Sequence, residues 1–426
     1  MRRLELVIPA EYKNDVSRVL DEEEVGYTAS GPLDGPDEAE LVTISFPAPV
    51  NAVEPILDRL WDYGLEDDDA SVVVLPAESI ISNRADALRS RYSSSAESGT
   101  RIAREELLAR AQNLVPGMVV YFVMLILSVV IAVAGLVANS VAVVVGSMVV
   151  APLMGPALAA SVGTVVGDRE LFVRGISMQI SGVVVSVIVA IGFASLVRYI
   201  HIFPVDQIMT IGEISSRTSP DFLALVVAIA AGAAGAYSLS TGSSTSLVGV
   251  AVAAALVPPL GVVGIGLAWG RPMVSIGALI LVLVNLLAIN LVAIAGFYYQ
   301  GYRPRNWSEI GTVRIAARRR IAVLAVCLLV LSSFLGVVTI GELRAATIRE
   351  DVRADVTEVI DNPAYADANL VEVQFISDNS LPTSQPERVV VTVGHPPGES
   401  FPGLLNDLRD AVDDSIVVDL NFEQEA

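Results

Sequence analysis

Long apolar runs occupy the middle of the chain, and shorter alternating or helical patterns lie on either side of them. A helix needs about 20 apolar residues to cross the hydrocarbon core of a bilayer. Several segments reach that length, so the pattern predicts a multi-pass helical membrane protein. We place the spans at residues 116–137, 141–165, 173–197, 221–240, 244–268, 273–297 and 320–340.

One kind of interruption occurs twice within these runs. The segment GSMVVAPLMGP, at residues 146–156, carries two prolines and two glycines where a spanning helix would continue. A shift of 103 positions, without a gap, places Gly146 on Gly249 and Pro156 on Pro259. The repeated unit covers three spans, an odd number. Its two copies are therefore predicted to be inverted in the membrane, with interrupted helices in the second and fifth spans.

Sequence patterns typical of soluble domains lie on both sides of the spans. The first segment reads as βαββαβ, which is typical of a ferredoxin-like domain, and the last reads as a second small α/β domain. The predicted fold class is an α-helical membrane protein with an inverted 3+3 repeat and two α/β domains. Its predicted parts are 1–80 cytoplasmic α/β domain, 81–115 linker and juxtamembrane helix, 116–197 first three-span repeat, 198–220 external loop, 221–300 second three-span repeat, 301–319 basic cytoplasmic loop, 320–341 seventh span and 342–426 extracellular α/β domain.

Arginines predict the orientation in the bilayer. Arg169 and Arg174 follow the second span, and a larger cluster separates the sixth span from the seventh. Positive residues concentrate in cytoplasmic loops, so we expect a cytoplasmic N-terminus and, after seven spans, an extracellular C-terminus. The cluster consists of Arg303, Arg305, Arg314, Arg318, Arg319 and Arg320.

The net charge of the sequence indicates the surroundings to which the soluble segments are adapted. The formal net charge is −20, from 47 acidic and 27 basic residues, and Lys13 is the single lysine. Acidic, lysine-poor surfaces suit molar salt, where screening removes the self-repulsion, so we expect a haloarchaeal source. A basic face that would follow phosphates is missing from the sequence, which argues against nucleic acid as a partner.

Motifs for catalysis are missing from the sequence. It contains no P-loop, HExxH, GxSxG or Cys/His cluster, and almost no ionisable side chain lies within the spans. We therefore expect no enzyme activity, no metal site and no cofactor. Neutral polar groups remain as the available chemistry.

Polar groups near the two interruptions are the candidate path for a solute. A broken membrane helix frees backbone groups, which persist only in protein, beside water or on a ligand. With hydroxyls and amides they could coordinate an ion or a small polar solute. The predicted path residues are Asn139, Ser147, Pro152, Gly155, Pro156, Ser243, Thr245, Pro258, Pro259 and Asn285.

The external loop holds a candidate gate. Glu213 and Arg217 are four residues apart, a spacing that permits a helical ion pair. Such a pair could close the mouth of a path, and an ordinary ion pair in a loop is the alternative.

Two functions of different classes stay open. The first is a channel or transporter for an ion or small polar solute, regulated by its soluble domains. The second is a membrane-anchored sensor or scaffold, in which the breaks serve only helix packing. Small residues repeat every four positions from Gly155 to Gly167 and from Ala224 to Ser240. Such ladders let helices approach closely, and we expect a homo-oligomer.

Four segments resemble the family of hydrophobic membrane proteins called domain of unknown function 389. The resemblance covers roughly residues 115–300. It implies an integral membrane protein and no particular substrate. The segments are GSMVVAPLMGP at 146–156, GD at 167–168, EISSRTSPDFLALVVAIAAGAAGAYSLS at 213–240 and GVAVAAALVPPLGVVGIGL at 249–267.

Overall fold

The structure is a computed structural model. It describes residues 1–31, 33–34, 40–62, 70–77, 87–88, 91–92, 101–200, 211–217, 222–304, 307–360, 362, 365, 368–376, 388–395, 401, 403–412 and 416–424. Within these ranges the description of 33–34, 222, 307–318, 331, 334–346, 376, 395 and 422–424 is limited to the backbone. The predicted linker at 81–115 and the predicted external loop at 198–220 lie partly outside the described residues.

The N-terminal domain is an antiparallel sheet covered by two helices. Its elements are β1 Arg2–Pro9, a single 3-10 turn Ala10–Tyr12, α1 Lys13–Glu22, β2 Thr28–Ala29, β3 Leu33–Asp34, β4 Glu40–Ala48, α2 Val50–Asp62 and β5 Ser71–Pro76. The strand order is β2-β4-β1-β5, with β3 also paired to β4. Alternate residues of β1 and β4 point to one buried face, where Val16 of α1 and Ile56 of α2 pack. Apart from the short β3, the elements follow the predicted order βαββαβ.

The middle of the chain is helical. Its helices are α3 Arg104–Asn113, α4 Met118–Val137, α5 Val141–Val150, α6 Met154–Val166, α7 Arg169–Tyr199, α8 Gly212–Ser215, α9 Phe222–Ser240, α10 Ser246–Ala268, α11 Pro272–Tyr299 and α12 Trp307–Ile360. Among the described residues, five helices are long and apolar enough to cross a membrane, or six if α5 and α6 form one bent span. Several helices can therefore span a bilayer, as a multi-pass membrane protein requires. The predicted seventh span lies in α12, whose side chains are described only in part, and it stays a prediction.

The predicted break in the second span is present. Helices α5 and α6 meet at an angle of 47° across residues 151–153. Pro152 lies within the break. Pro156 is the third residue of α6, where a missing backbone N–H costs little because first-turn N–H groups have no partner within the helix. The two prolines therefore end one helix and permit the next to begin.

The predicted break in the fifth span is wrong. Helix α10 is continuous through Pro258 and Pro259. Pro259 has no N–H for the carbonyl of Ala255, four residues earlier. The side chain of Asn285 on α11 donates Nδ2 to that carbonyl at 2.8 Å. An amide on a neighbouring helix thus replaces the missing hydrogen bond, and the helix continues.

Two groups of helices have matching turns. The first group is α4 to α7 and the second is α9 to α11, and their elements correspond at the shift of 103 residues. Asn139 and Gly242, which match at this shift, both have positive φ, 49° and 71°. Gly167 and Gly270 also match, with φ of 91° and 70°. The sequence repeat is therefore accompanied by the same backbone geometry at both pairs of turns.

The last helix differs from its prediction. Helix α12 begins at Trp307 and is continuous to Ile360. The predicted basic loop at 301–319 is therefore mostly helical, and no break separates the predicted seventh span from the C-terminal domain at residue 342. Arginine and alanine favour helices, and residues 307–342 contain no proline, so the charge of this segment does not end the helix.

The C-terminal domain is a three-stranded sheet with two helices. Its remaining elements are β6 Asn369–Ile376, β7 Arg388–His395, α13 Leu404–Ala411 and β8 Val417–Gln424. The strand order is β6-β7-β8, antiparallel between β6 and β7 and parallel between β7 and β8. Val352 and Val356 of α12 and Leu408 of α13 share its core.

The N-terminal domain is fixed to one end of the helices that can span a membrane. Arg2 of β1 donates from Nε and Nη2 to the carboxylate of Glu106 on α3, at 3.1 and 2.9 Å. Arg110 binds the same carboxylate and also donates to the carbonyl of Gly242, at 3.1 Å. A chain of charged hydrogen bonds therefore leads from the sheet to the turn between α9 and α10.

A second set of contacts lies beside the first. The N–H of Ile102 donates to the carbonyl of Ser240 at 2.7 Å, and the hydroxyl of Tyr302 donates to the carbonyl of Ile102 at 2.9 Å. Burial raises the pKa of Tyr302, so its hydroxyl stays a donor. Arg101 lies over the Tyr302 ring and pairs with Glu54 at 3.0 Å. These contacts hold the end of α9 and the segment after α11 against the N-terminal domain.

Candidate functional site

A cavity of about 690 Å³ lies between α6, α7, α11 and α12. Most of its wall is aliphatic, with Phe172 near one end. Its polar lining comes from distant parts of the sequence, and consists of Thr164, Gln179, Asn290, Arg319 and Arg320. Large, mostly apolar cavities with a few converging polar groups are the usual form of small-molecule sites.

A pair of amides lies where the two groups of helices meet. Asn290 of α11 donates Nδ2 to Oε1 of Gln179 on α7 at 2.7 Å, and also to the carbonyl of Leu286 at 2.8 Å. Gln179 donates Nε2 to the carbonyl of Pro156 at 3.2 Å. The two side chains are only 5% and 6% exposed. The pair therefore connects the broken helix of the first group to the last helix of the second.

Close packing of α7 on α6 brings Gln179 within reach of Pro156. A Cβ placed on Gly175 would lie 2.6 Å from the backbone nitrogen of Ala160 and 2.7 Å from the Pro156 carbonyl oxygen. Any larger residue at Gly175 would push the helices apart. The glycine is thus needed for the geometry of the amide pair.

Arg320 lies at the other end of the cavity. Its guanidinium is 3.8 Å from the centre of the Phe172 ring, a cation–π contact. It donates to the hydroxyl of Thr164 in a long hydrogen bond of 3.4 Å, and that hydroxyl donates to the carbonyl of Ala160 at 2.8 Å. Arg319 lies beside it and is exposed. One end of the cavity is therefore cationic, and the other holds neutral amides.

Residues 148–291 match the family described as Domain of unknown function (DUF389). We refer to these matched residues as the DUF389 domain. The chain is also 36% identical over 211 residues to an uncharacterized protein of Methanocaldococcus jannaschii, a match that covers 50% of this chain and 63% of that protein. No solved structure matches the chain. The resemblance noted in the sequence is confirmed, over a shorter range than the predicted one.

The DUF389 domain contains both amides of the cavity, Gln179 and Asn290, and ends before α12. Arg319 and Arg320 lie outside it. The cationic end of the cavity is therefore supplied by the part of this chain that follows the family domain.

Three predicted path residues lie in exposed or partly exposed turns at opposite ends of the helices. Asn139, between α4 and α5, accepts a hydrogen bond at Oδ1 from the N–H of Glu213 at 3.1 Å. Ser243 shares a hydrogen bond with Thr241 at 3.0 Å, and Thr245 precedes α10. The turn that holds Ser243 and Thr245 lies beside the N-terminal domain. The structure does not bring these three residues together.

The other predicted path residues lie inside the DUF389 domain or just before it. Ser147 donates to the carbonyl of Val144 at 2.6 Å, within its own helix. Gly155 packs on the carbonyl of Leu114, which a Cβ would meet at 2.0 Å. Asn285 bonds to α10, as described above. The residues that remain are Pro152 in the break, Pro156 beside Gln179, and Pro258 and Pro259 inside α10.

The predicted path is therefore not one site. None of its ten residues is in the lining of the cavity, and Pro156 touches it only through Gln179. The predicted path was chosen near the two interruptions and did not include Gln179 or Asn290. The amide side chains indicated the cavity better than the prolines did, since polar side chains in membrane helices usually face a partner or a cavity.

The predicted gating residues form a pair. Arg217 and Glu213 lie 2.9 Å apart at α8. With Asn139 they join α8 to the turn between α4 and α5, at the end of the helices away from the N-terminal domain. Among the described residues, no group of three or more His, Cys, Asp or Glu is placed to hold a metal ion.

Proposed function

We propose that this protein is a channel or transporter that moves an ion or a small polar solute across a membrane, and that the solute passes through the cavity. The observation that carries the proposal is the Gln179–Asn290 amide pair, buried where the two groups of helices meet. Buried amides in membrane helices commonly mark either a helix contact or a solute site, and here a cavity adjoins them.

An inverted repeat is part of the proposal. Gly242 lies beside the N-terminal domain through its bond from Arg110, whereas its counterpart Asn139 lies beside Glu213 at the opposite end. Equivalent turns at opposite ends support two three-span units of opposite direction, the arrangement that many secondary transporters use. The carbonyl of Pro156, just after the α5–α6 break, would act near the solute through its hydrogen bond from Gln179.

The proposed orientation has the N-terminal domain in the cytoplasm. Arg169, Arg303 and Arg320 lie near the end of the helices that carries this domain, which agrees with the enrichment of positive residues on the cytoplasmic side. With α12 as a seventh span, the C-terminal domain would be extracellular.

Flux into proteoliposomes tests the transport proposal. Protein is reconstituted at high salt and offered monovalent cations, halides and small neutral solutes, with empty liposomes as the blank. Asn290→Leu and Asn285→Leu form a matched pair, because both remove a buried amide from α11 and only Asn290 lines the cavity. We expect a selective flux that falls at least tenfold in Asn290→Leu and persists in Asn285→Leu.

The same two variants also distinguish two possible solute paths, one through the cavity and one beside the prolines. Loss of flux in Asn285→Leu alone would favour the path through the prolines predicted from the sequence. Absence of flux from folded, correctly inserted protein would reject transport. Gly155→Leu is unsuitable for this purpose, since its side chain would strike the backbone of Leu114.

The second candidate function is a membrane-anchored sensor or scaffold. The observation in its favour is the network from Arg2 through Glu106 and Arg110 to Gly242, which joins the N-terminal domain to the helices. A ligand on that domain would have a direct route to the turn before α10. This function predicts ligand-dependent changes at Gly242 without any flux.

We also propose that the protein forms a homo-oligomer. The small residues that repeat every four positions do not support this proposal in the structure. Gly155 packs on Leu114, Gly163 on Phe172 and Gly232 on Ile289, all within the same chain. A contact between copies would therefore use other surfaces of the membrane helices.

A further inference from the structure

The cationic end of the cavity holds a charge without a described counter-ion. Arg320 contacts the Phe172 ring and the Thr164 hydroxyl, which are neutral. Among the side chains that the structure describes, Arg320 takes part in none of the ion pairs. An uncompensated charge next to apolar helices is unfavourable, so an anion at this position would stabilise the structure.

The wall beyond Arg320 is aliphatic and open on one side. Ile176 and Ile180 of α7, Leu286 of α11 and Val323 of α12 line it. Ile180 and Val323 are nevertheless 59% and 54% exposed. With α12 as the proposed seventh span, both lie on helices that cross the membrane, and the open side faces the hydrocarbon of the bilayer. A ligand could enter there without passing through water.

The length of this wall suits an extended apolar group. From Ile294, near the end of α11, to Leu286 the helix rises by about 12 Å, at about 1.5 Å for each residue. An inorganic anion would use the arginine and leave this surface without a partner. An anion with a hydrocarbon chain would use both.

We infer that the cavity binds one anionic membrane lipid, with its phosphate at Arg320 and Arg319 and an acyl chain along the aliphatic wall. The lipid comes from the leaflet on the side of the N-terminal domain, where Arg320 lies. Basic pockets between membrane helices bind anionic headgroups by this combination of charge and apolar contact. The inference concerns binding alone and does not require transport, but a lipid along this wall would occupy the proposed solute path, so bound lipid and a moving solute would exclude each other.

Binding is measured on the full-length protein, stripped of lipid in detergent and titrated with phosphatidylglycerol or phosphatidylcholine. Native mass spectrometry counts the bound lipids. We expect one phosphatidylglycerol for each chain, bound at least fivefold more tightly than phosphatidylcholine. Arg320→Gln should weaken phosphatidylglycerol binding about fivefold or more, while Arg303→Gln, an exposed arginine at the same end, should leave it unchanged.

A second pair of variants tests the apolar wall. Val323→Trp fills the cavity and leaves Arg320 in place, whereas Val326→Trp changes an exposed valine on the same helix that does not line the cavity. We expect weaker lipid binding in the first variant and wild-type binding in the second.

Three results would overturn the inference. Equal weakening by Arg320→Gln and Arg303→Gln would mean a diffuse surface attraction. Unchanged binding in both Arg320→Gln and Val323→Trp would place the lipid elsewhere. Complete displacement of the lipid by inorganic phosphate would identify a site for free anions instead.

Discussion

Pro259 removes one backbone hydrogen bond from the middle of α10, and Asn285 replaces it from α11. The carbonyl of Ala255 is buried, so without Asn285 it would have no partner. A buried carbonyl left in that state costs about 1–3 kcal/mol. One side chain therefore satisfies the carbonyl that the proline leaves without a helical partner.

A double-mutant cycle tests this role of Asn285. Asn285→Leu should destabilise the protein by about 1–3 kcal/mol. In a Pro259→Ala background the same change should cost much less, because the new N–H of residue 259 can bond to the Ala255 carbonyl. Unfolding of each variant is followed in detergent by circular dichroism. Equal costs in the two backgrounds would show that Asn285 acts in another way.

Pairs of helices approach closely through glycines at equivalent places in the two groups. A Cβ on Gly163 of α6 would lie 2.6 Å from the backbone nitrogen of Phe172. A Cβ on Gly266 of α10 would lie 2.4 Å from Oγ of Ser275 and 3.0 Å from its nitrogen. Both pairs match at the shift of 103 residues, so the tight helix pair is a property of the repeated element.

Alanine substitutions test the close approach. Gly163→Ala and Gly266→Ala should each lower the free energy of unfolding by about 1–3 kcal/mol through overpacking. Gly146→Ala is the matched control, since a Cβ there meets nothing within 4 Å. It should be neutral or stabilise by up to about 1 kcal/mol, because alanine favours the helix. Midpoints of thermal unfolding in detergent give the comparison, and identical midpoints in all three variants would contradict the packing.

Docking of the N-terminal domain is a property of the whole molecule. It depends on Arg2 and Glu106, whose side chains are 12% and 11% exposed, and which are 104 residues apart in the sequence. Their two charge-assisted hydrogen bonds are of the stronger kind. The same domain also has an exposed ion pair, Arg3 with Glu5, which is expected to contribute little.

Hydrogen exchange tests the docking. Arg2→Gln should speed exchange of the Ile102 amide, which bonds to Ser240, by about tenfold or more, because a hydrogen bond to a charged group contributes about 1.5–3 kcal/mol. Arg3→Gln should leave that exchange unchanged. Equal protection in both variants would mean that the ion pair of Arg2 does not hold the domain in place.

Sequence patterns located most elements because those patterns are local. Alternation predicted β1, β4 and β5, and apolar length predicted the helices that can span a membrane. Pro152 and Pro156 predicted the first break, since their effect acts on the chain next to them. The same local reasoning failed at Pro258 and Pro259 and at the start of α12.

Tertiary structure alone decided the remaining features, because each depends on residues far apart in the sequence. Asn285 keeps α10 continuous across 30 residues of separation. Gln179 and Asn290 meet across 111 residues, and Arg320 reaches Thr164 across 156. Periodicity carries no information about such pairs. The sequence by itself thus determined the apolar helices that can span a membrane, the two α/β patterns and the first break, and the packing of the helices determined the cavity and its chemistry.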